Sequence, residues 1–229
     1  MLLLFTANYF SGELTVLRTA ADGALLPGVT TPLPGPSTAT YPGPIEIRQD
    51  GPHAHCFYPD PGSTHAFAAD LGSDEVVVVS VDAITGAIAV TDRMATPPGT
   101  GPRHVALSPG KERHSLITTF PLYIDVLPRQ ARDRTQNKMA FRIDRRHLYV
   151  SGELSSTLSS CSYDGATGTL KLLETRSVLP DSFIPPAAGT TVAHVELSPC
   201  GKWAYVGNRV GVGVDGACAG AWKALLCYI

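Results

Sequence analysis

The chain of 229 residues is 44% hydrophobic and 17% charged, with a formal net charge of −2 at neutral pH. That length supports a substantial core in one domain or one large β architecture, and no apolar run approaches the ~20 residues that span a bilayer. The five cysteines, Cys56, Cys161, Cys200, Cys218 and Cys227, form no CxxC pair and no regular set, so a reducing, cytoplasmic setting is expected.

In chain order, Met1–Phe5 has neither a basic leader nor a small-residue cleavage site and reads as the tail of a strand. Leu2–Asn8 and Glu13–Arg18 are predicted as the second and third strands of a first unit that enters late, with a turn at Ala21–Leu25. Pro27–Pro52 clusters Pro, Gly, Ser and Thr, the composition of a long loop that can wall a binding face. A full unit follows, with strands predicted at Ala54–Tyr58, His65–Ala69, Glu75–Val81 and Ala87–Arg93. The β-branched run Val76-Val77-Val78-Val79 leads into Asp82-Ala83-Ile84-Thr85-Gly86, which supplies turn chemistry. Gly101–Pro109 opens the next unit, whose second strand resumes only at His147. The same turn cue recurs at Tyr163–Leu170, a second Pro-rich loop lies at Leu179–Gly189, and a last pair is read at Ala193–Ser198 and Trp203–Arg209.

Three segments align as copies of one β-unit: Pro52–Leu71, then Gly101–Pro109 with His147–Leu154, then Ala193–Arg209. Pro59 and Pro109 are 50 residues apart and Pro109 and Pro199 are 90 apart; setting aside the 36 residues of Lys111–Arg146 reduces 90 to 54. A period near 50 with several short strands per repeat predicts an all-β fold, a β-propeller of four-stranded antiparallel blades. Residues 1–209 hold about three blades' worth of strands and are expected to form a partial propeller that does not close alone. Residues 111–146 read as an irregular insertion and 210–229 as a non-repeat tail; both have the look of translated non-coding sequence. The insertion holds nine of the 18 Lys and Arg residues against four acids, a charge of +5, which leaves −7 on the remainder. With no aromatic interleaving and no zinc spacing, this basic block points to foreign composition rather than a nucleic-acid surface.

The ordered set Thr6-Ala7-Asn8-Tyr9, Pro52-His53-Ala54-His55, Asp70-Leu71-Gly72-Ser73-Asp74, Gly101-Pro102-Arg103-His104, Gly152-Glu153-Leu154 and Asn208-Arg209 resembles the lactonase family of seven-bladed β-propellers. That family includes bacterial-type 6-phosphogluconolactonase and fungal 3-carboxy-cis,cis-muconate cyclase. The resemblance implies seven blades in a complete member and a site shared by neighbouring blades, carried here by His53, Arg103, Glu153 and Arg209. It departs from the family at Gly152, where an Asn is usual, and at Ala193-His194-Val195-Glu196, where an acid more often precedes a His.

These residue types suit anionic lactones or muconates without the family name. Arginine keeps its charge and grips carboxylate or phosphate through a planar fork, so Arg103 and Arg209 are expected clamps and oxyanion stabilisers. Glu153 or His53 is expected to activate water or shuttle a proton. His55 is assigned to hydrogen-bond a blade turn, and simple alternation puts His104 on the face opposite Arg103. Asn8 and Asp70 are assigned the repeat position of Glu153 and Asn208, with the role of satisfying backbone groups. No third ligand accompanies His53 and His55 at metal spacing, and no nucleophile elbow or phosphate loop is present, so neither metal nor cofactor is expected. The leading expectation is a hydrolase of an anionic sugar lactone. The alternatives are carboxymuconate cyclisation and a catalytically inactive propeller fragment acting as an interaction surface. The expected partner is the small anionic lactone or muconate, with no nucleic acid and no membrane.

Overall fold

A computed structural model describes residues 2–35, 41–62, 64–109, 145–179, 189–198, 201 and 203–210. The predicted insertion, apart from Arg145 and Arg146, and the predicted tail, apart from Val210, lie outside the described residues.

The described strands form four antiparallel sheets, each paired in chain order. The first blade is β1 (Leu3–Asn8), β2 (Glu13–Arg18) and β3 (Val29–Pro32). The second is β4 (Ala54–Pro59), β5 (His65–Asp70), β6 (Glu75–Val81) and β7 (Ile88–Ala95). The third is β8 (Pro102–Leu107), β9 (His147–Gly152), β10 (Thr157–Asp164) and β11 (Thr169–Ser177). The fourth contains β12 (Thr190–Leu197) and β13 (Ala204–Val210). This is the propeller meander read from the repeat. The segment Pro27–Pro52, read as one loop, instead contains β3 and a one-turn 3-10 helix at Glu46–Arg48. No helix among the described residues is long and apolar enough to cross a membrane.

The blades stack through their faces, which is why β5 and β6 are so apolar. Phe67, Ala69, Val76 and Val78 pack against Val105, Leu148, Val150, Cys161 and Tyr163 of the third blade. The alternate residues Ala66, Ala68, Val77 and Val79 pack against Leu14, Val16 and Leu33 of the first. A strand covered on both sides loses the polar half of its alternation, and the valine run is the result. A third cluster, Tyr149, Leu158, Val178, Val192, Val195 and Val206, joins the third and fourth blades. The seam between the second and third blades also holds a polar tie, with the buried Tyr163 hydroxyl donating to Asp60 at 3.2 Å.

β8 and β9 pair although the 36 residues of Lys111–Arg146 separate them in sequence. Their register runs through Val105↔Val150 and Leu107↔Leu148, and the Ser108 N–H donates to the His147 carbonyl at 2.8 Å. The interruption therefore leaves the strand pair between Arg103 and Glu153 intact.

Candidate active site

The site is built where the second strand of a blade ends. Asn8 faces Glu13, Asp70 faces Glu75 and Gly152 faces Thr157, so Asn8, Asp70 and Gly152 share one repeat position. Asn208 joins them, because it faces Val192 as Asp70 faces Ala54. Glu153 thus lies one residue beyond the position assigned to it, level with Tyr9, Leu71 and Arg209. The expectation that this strand-end position serves the backbone holds for Asp70, which accepts from the His53 N–H at 2.7 Å and the Gly72 N–H at 3.0 Å. At Gly152 there is no space for a side chain: a Cβ would lie 2.4 Å from Thr157 Oγ1 and 2.7 Å from Thr100 Cγ2.

Glu153 is buried, and its backbone is fixed on both sides. Its N–H donates to the Gly101 carbonyl at 2.8 Å, and its carbonyl accepts from the Val192 N–H at 3.3 Å. Gly101 has φ +60°, a conformation that suits glycine, and the Asp74 carboxylate anchors its N–H at 2.7 Å. The Glu153 carboxylate then meets three guanidiniums. Arg209 Nη2 is 2.5 Å from Oε1, Arg48 Nη2 is 3.3 Å from Oε1, and Arg103 Nε is 2.9 Å from Oε2. The Arg103 approach is a charge contact, since its N–H does not align with the oxygen. His55 Nε2 stands 3.5 Å from Oε2.

Two of these residues escape sequence reasoning. Arg48 comes from the 3-10 turn in the Pro-rich segment, which has no counterpart in the repeat. The turn is held by buried Gln49, whose side chain donates to the Leu71 carbonyl at 3.0 Å and accepts from the Ile45 N–H at 3.0 Å. His55, assigned to a blade turn, instead faces the carboxylate. The structure brings Arg103, Glu153 and Arg209 together, whereas His53 makes no contact with Glu153. His53 Nε2 contacts Asp50 at 2.8 Å, its Nδ1 lies 3.1 Å from the Tyr9 carbonyl, and its ring stacks on Tyr9 at 4.6 Å.

The alternation argument for His104 also fails, for a local reason. Each first strand advances one residue further than its partner: β4 between Ala54 and Cys56, β8 between Pro102 and Val105, β12 between Val192 and Val195. Such a β-bulge re-aims the side chains around the extra residue. Arg103 and His104 are therefore close neighbours at 3.3 Å instead of opposite-facing. The His104 ring packs edge-on against His55 at 5.4 Å and against His194 at 4.9 Å. Among the described residues no group of His, Cys, Asp and Glu is arranged to hold a metal ion.

Burial would push the Glu153 carboxyl up, but Arg209, Arg48 and Arg103 together outweigh it and hold the group below the usual carboxylate range. A carboxylate so stabilised is a poor proton acceptor and a good brace for guanidiniums. Burial, reinforced by Arg103, pushes His55 down, and burial with Arg103 and His194 pushes His104 down to about 3. The cluster thus carries three positive charges against one negative, a surplus of two, beside neutral imidazoles.

The description "Lactonase, 7-bladed beta-propeller" matches residues 2–217. The chain belongs to that family. A protein of Arthroderma benhamiae named probable 6-phosphogluconolactonase is 31% identical over 212 residues, 91% of this chain and 43% of its own length. The 6-phosphogluconolactonase of Bacillus subtilis is 27% identical over 206 residues, 90% of this chain and 46% of its own. Among solved structures, a Lactobacillus plantarum protein has a TM-score of 0.67 at 28% identity, covering 94% of this chain and 52% of that one. The periplasmic gluconolactonase of Pseudomonas aeruginosa has a TM-score of 0.62 at 26% identity, covering 90% and 47%. This lactonase-family chain spans less than half the length of these two curated relatives.

Proposed function

We propose that this chain carries the site of a hydrolase for an anionic sugar lactone, most simply 6-phosphogluconolactone, the substrate class named for its relatives. The observation that supports it best is the meeting of Arg48, Arg103 and Arg209 on one buried carboxylate, with a surplus of two positive charges. Arg48 and Arg209 keep about a third of their side-chain surface exposed, so they can turn donors to an incoming phosphate or carbonyl oxygen. Fixed guanidiniums favour the oxyanion that forms when water adds to the lactone carbonyl. Glu153 braces these groups, Arg103 and Arg209 serve as clamps, and His53 shapes the rim with Tyr9. A cytoplasmic location belongs to the same reading, supported by free thiols at Cys56 and Cys161.

Titrating acid release by the purified chain with 6-phosphogluconolactone, unphosphorylated gluconolactone and 3-carboxy-cis,cis-muconate tests this. Preferential hydrolysis of the phosphorylated lactone is expected. Consumption of the muconate instead would make the chain a cyclase, and no turnover of any of the three would leave a non-catalytic propeller surface.

A further inference from the structure

Next to the carboxylate cluster, β8 and β12 bring two bulge residues together. His104 Nδ1 lies 2.8 Å from His194 Nδ1 and 3.3 Å from Arg103 Nη1. A guanidinium has donors only, so His104 Nδ1 must be the acceptor in its contact with Arg103. The proton in the 2.8 Å contact therefore sits on His194 Nδ1. A neutral imidazole with its proton on Nδ1 has its lone pair on Nε2. Arg103 thus sets the tautomer of His104, and His104 sets that of His194.

The backbone supports the pair. The buried Ser151 hydroxyl accepts from the His104 N–H at 3.0 Å and lies 3.3 Å from both the His104 and Ala193 carbonyls, bridging the two bulges. His194 is exposed as a residue, while partial desolvation of its ring and the Arg103 charge lower its proton affinity against the opposing pull of Glu196. Its affinity for a proton is therefore below that of a free imidazole, which favours the neutral ring.

We propose that His194 is the proton acceptor of the hydrolysis, oriented by His104 and, through it, by Arg103. This rests on the lactonase reading above. In the first step a water proton moves to His194 Nε2 while the water oxygen bonds to the lactone carbonyl carbon. The carbonyl π electrons move to its oxygen, where the guanidiniums receive the charge. In the second step that oxygen re-forms the double bond, the bond from the acyl carbon to the ring oxygen breaks, and His194 Nε2 returns the proton to the departing oxygen. Water is consumed, a hydroxy acid is formed, and the imidazole ends as it began. The charged and titratable groups around the pair are Arg103 on β8, Glu196 on β12, His55 on β4 and Arg209 on β13.

Two measurements on the full chain test this. Long-range proton–nitrogen NMR of histidine-labelled protein should show His104 Nδ1 unprotonated and His194 Nδ1 protonated; the reverse pair overturns the orienting role. In kinetics, His194→Gln should lower kcat by about 10²–10⁴-fold with KM little changed and abolish the loss of rate on acidification. Added imidazole should restore turnover to His194→Ala, which a purely structural role does not allow. An active wild type with an unchanged His194→Gln profile overturns the proposal alone. A wild type inactive on every anionic lactone overturns the hydrolase reading and the base role with it, and the NMR result then judges the tautomer chain separately.

Discussion

The second and third blades share strand number, register and turn geometry, yet each closes its second strand around a carboxylate with a different use. In the second blade Asp70 turns inward, accepting from the His53 and Gly72 N–H groups and from the Ser73 hydroxyl at 2.7 Å. In the third blade that position is Gly152, and the acid has moved one residue on to Glu153, where it meets three arginines. A single step along the chain turns a carboxylate that serves its own blade into one that joins several. The two are pushed in opposite directions. Burial raises Asp70 despite its hydrogen bonds, while the guanidiniums outweigh burial and lower Glu153. Glu153 therefore contributes stability that is complete above its ordinary pKa and is lost as pH falls through its lower folded value. Asp70 has the reverse sign, with stability declining as pH climbs from its ordinary value through the higher folded one.

The strongest way to break this contrast is Glu153→Gln, which leaves three cations without their shared anion. A loss of about 3 kcal/mol is expected in urea denaturation, at the lower end for a broken buried pair because Arg48 and Arg209 reach solvent. Its acid-side pH dependence should flatten as well; an unchanged denaturation midpoint would remove Glu153 from the centre of the cluster. Ser151→Ala comes next, since it gives the third blade the residue that the second has at Ala69. It strips the bulged His104 N–H of its acceptor, and about 1–2 kcal/mol should be lost in the same assay. Asp70→Asn should cost less than about 1 kcal/mol, because the amide oxygen can still accept from His53 and because Asn8 and Asn208 already occupy this position. Stability of that variant should no longer decline as pH rises through the Asp70 range. Smallest in stability is Arg48→Ala, within about 0.5 kcal/mol for a partly exposed side chain. Its effect should appear as a KM raised about tenfold at nearly constant kcat, and an unchanged KM would exclude Arg48 from substrate binding.

The blades were legible because their strands carry strong local signals. β2 and β6 match their predicted bounds, and β4 and β5 each run one residue further. Arg103 was legible from the Gly-Pro-Arg-His entry to its blade, and Glu153 and Arg209 because each follows the position that recurs late in a second strand. His104 was misplaced because a bulge breaks the period of two on which alternation rests, and nothing in Pro102-Arg103-His104-Val105 announces the extra residue. Arg48 was missed because its position depends on Gln49 packing under Leu71, a contact with no sequence period. His53 was favoured over His55 because motif order does not distinguish the residue before β4 from the one inside its bulge.

The carboxylate of Asp74 has a consequence for motion. It accepts from the Gly99 and Gly101 N–H groups, both at 2.7 Å, from a turn of the second blade, while the Gly101 carbonyl accepts the N–H of Glu153 in the third. Amide hydrogen exchange at Gly101 therefore reports on the neighbouring blade as well as its own. A chain of hydrogen bonds from Asp74 through Gly101 to Glu153 thus joins the two blades, and exchange at the Gly101 and Glu153 amides is expected to slow or quicken together.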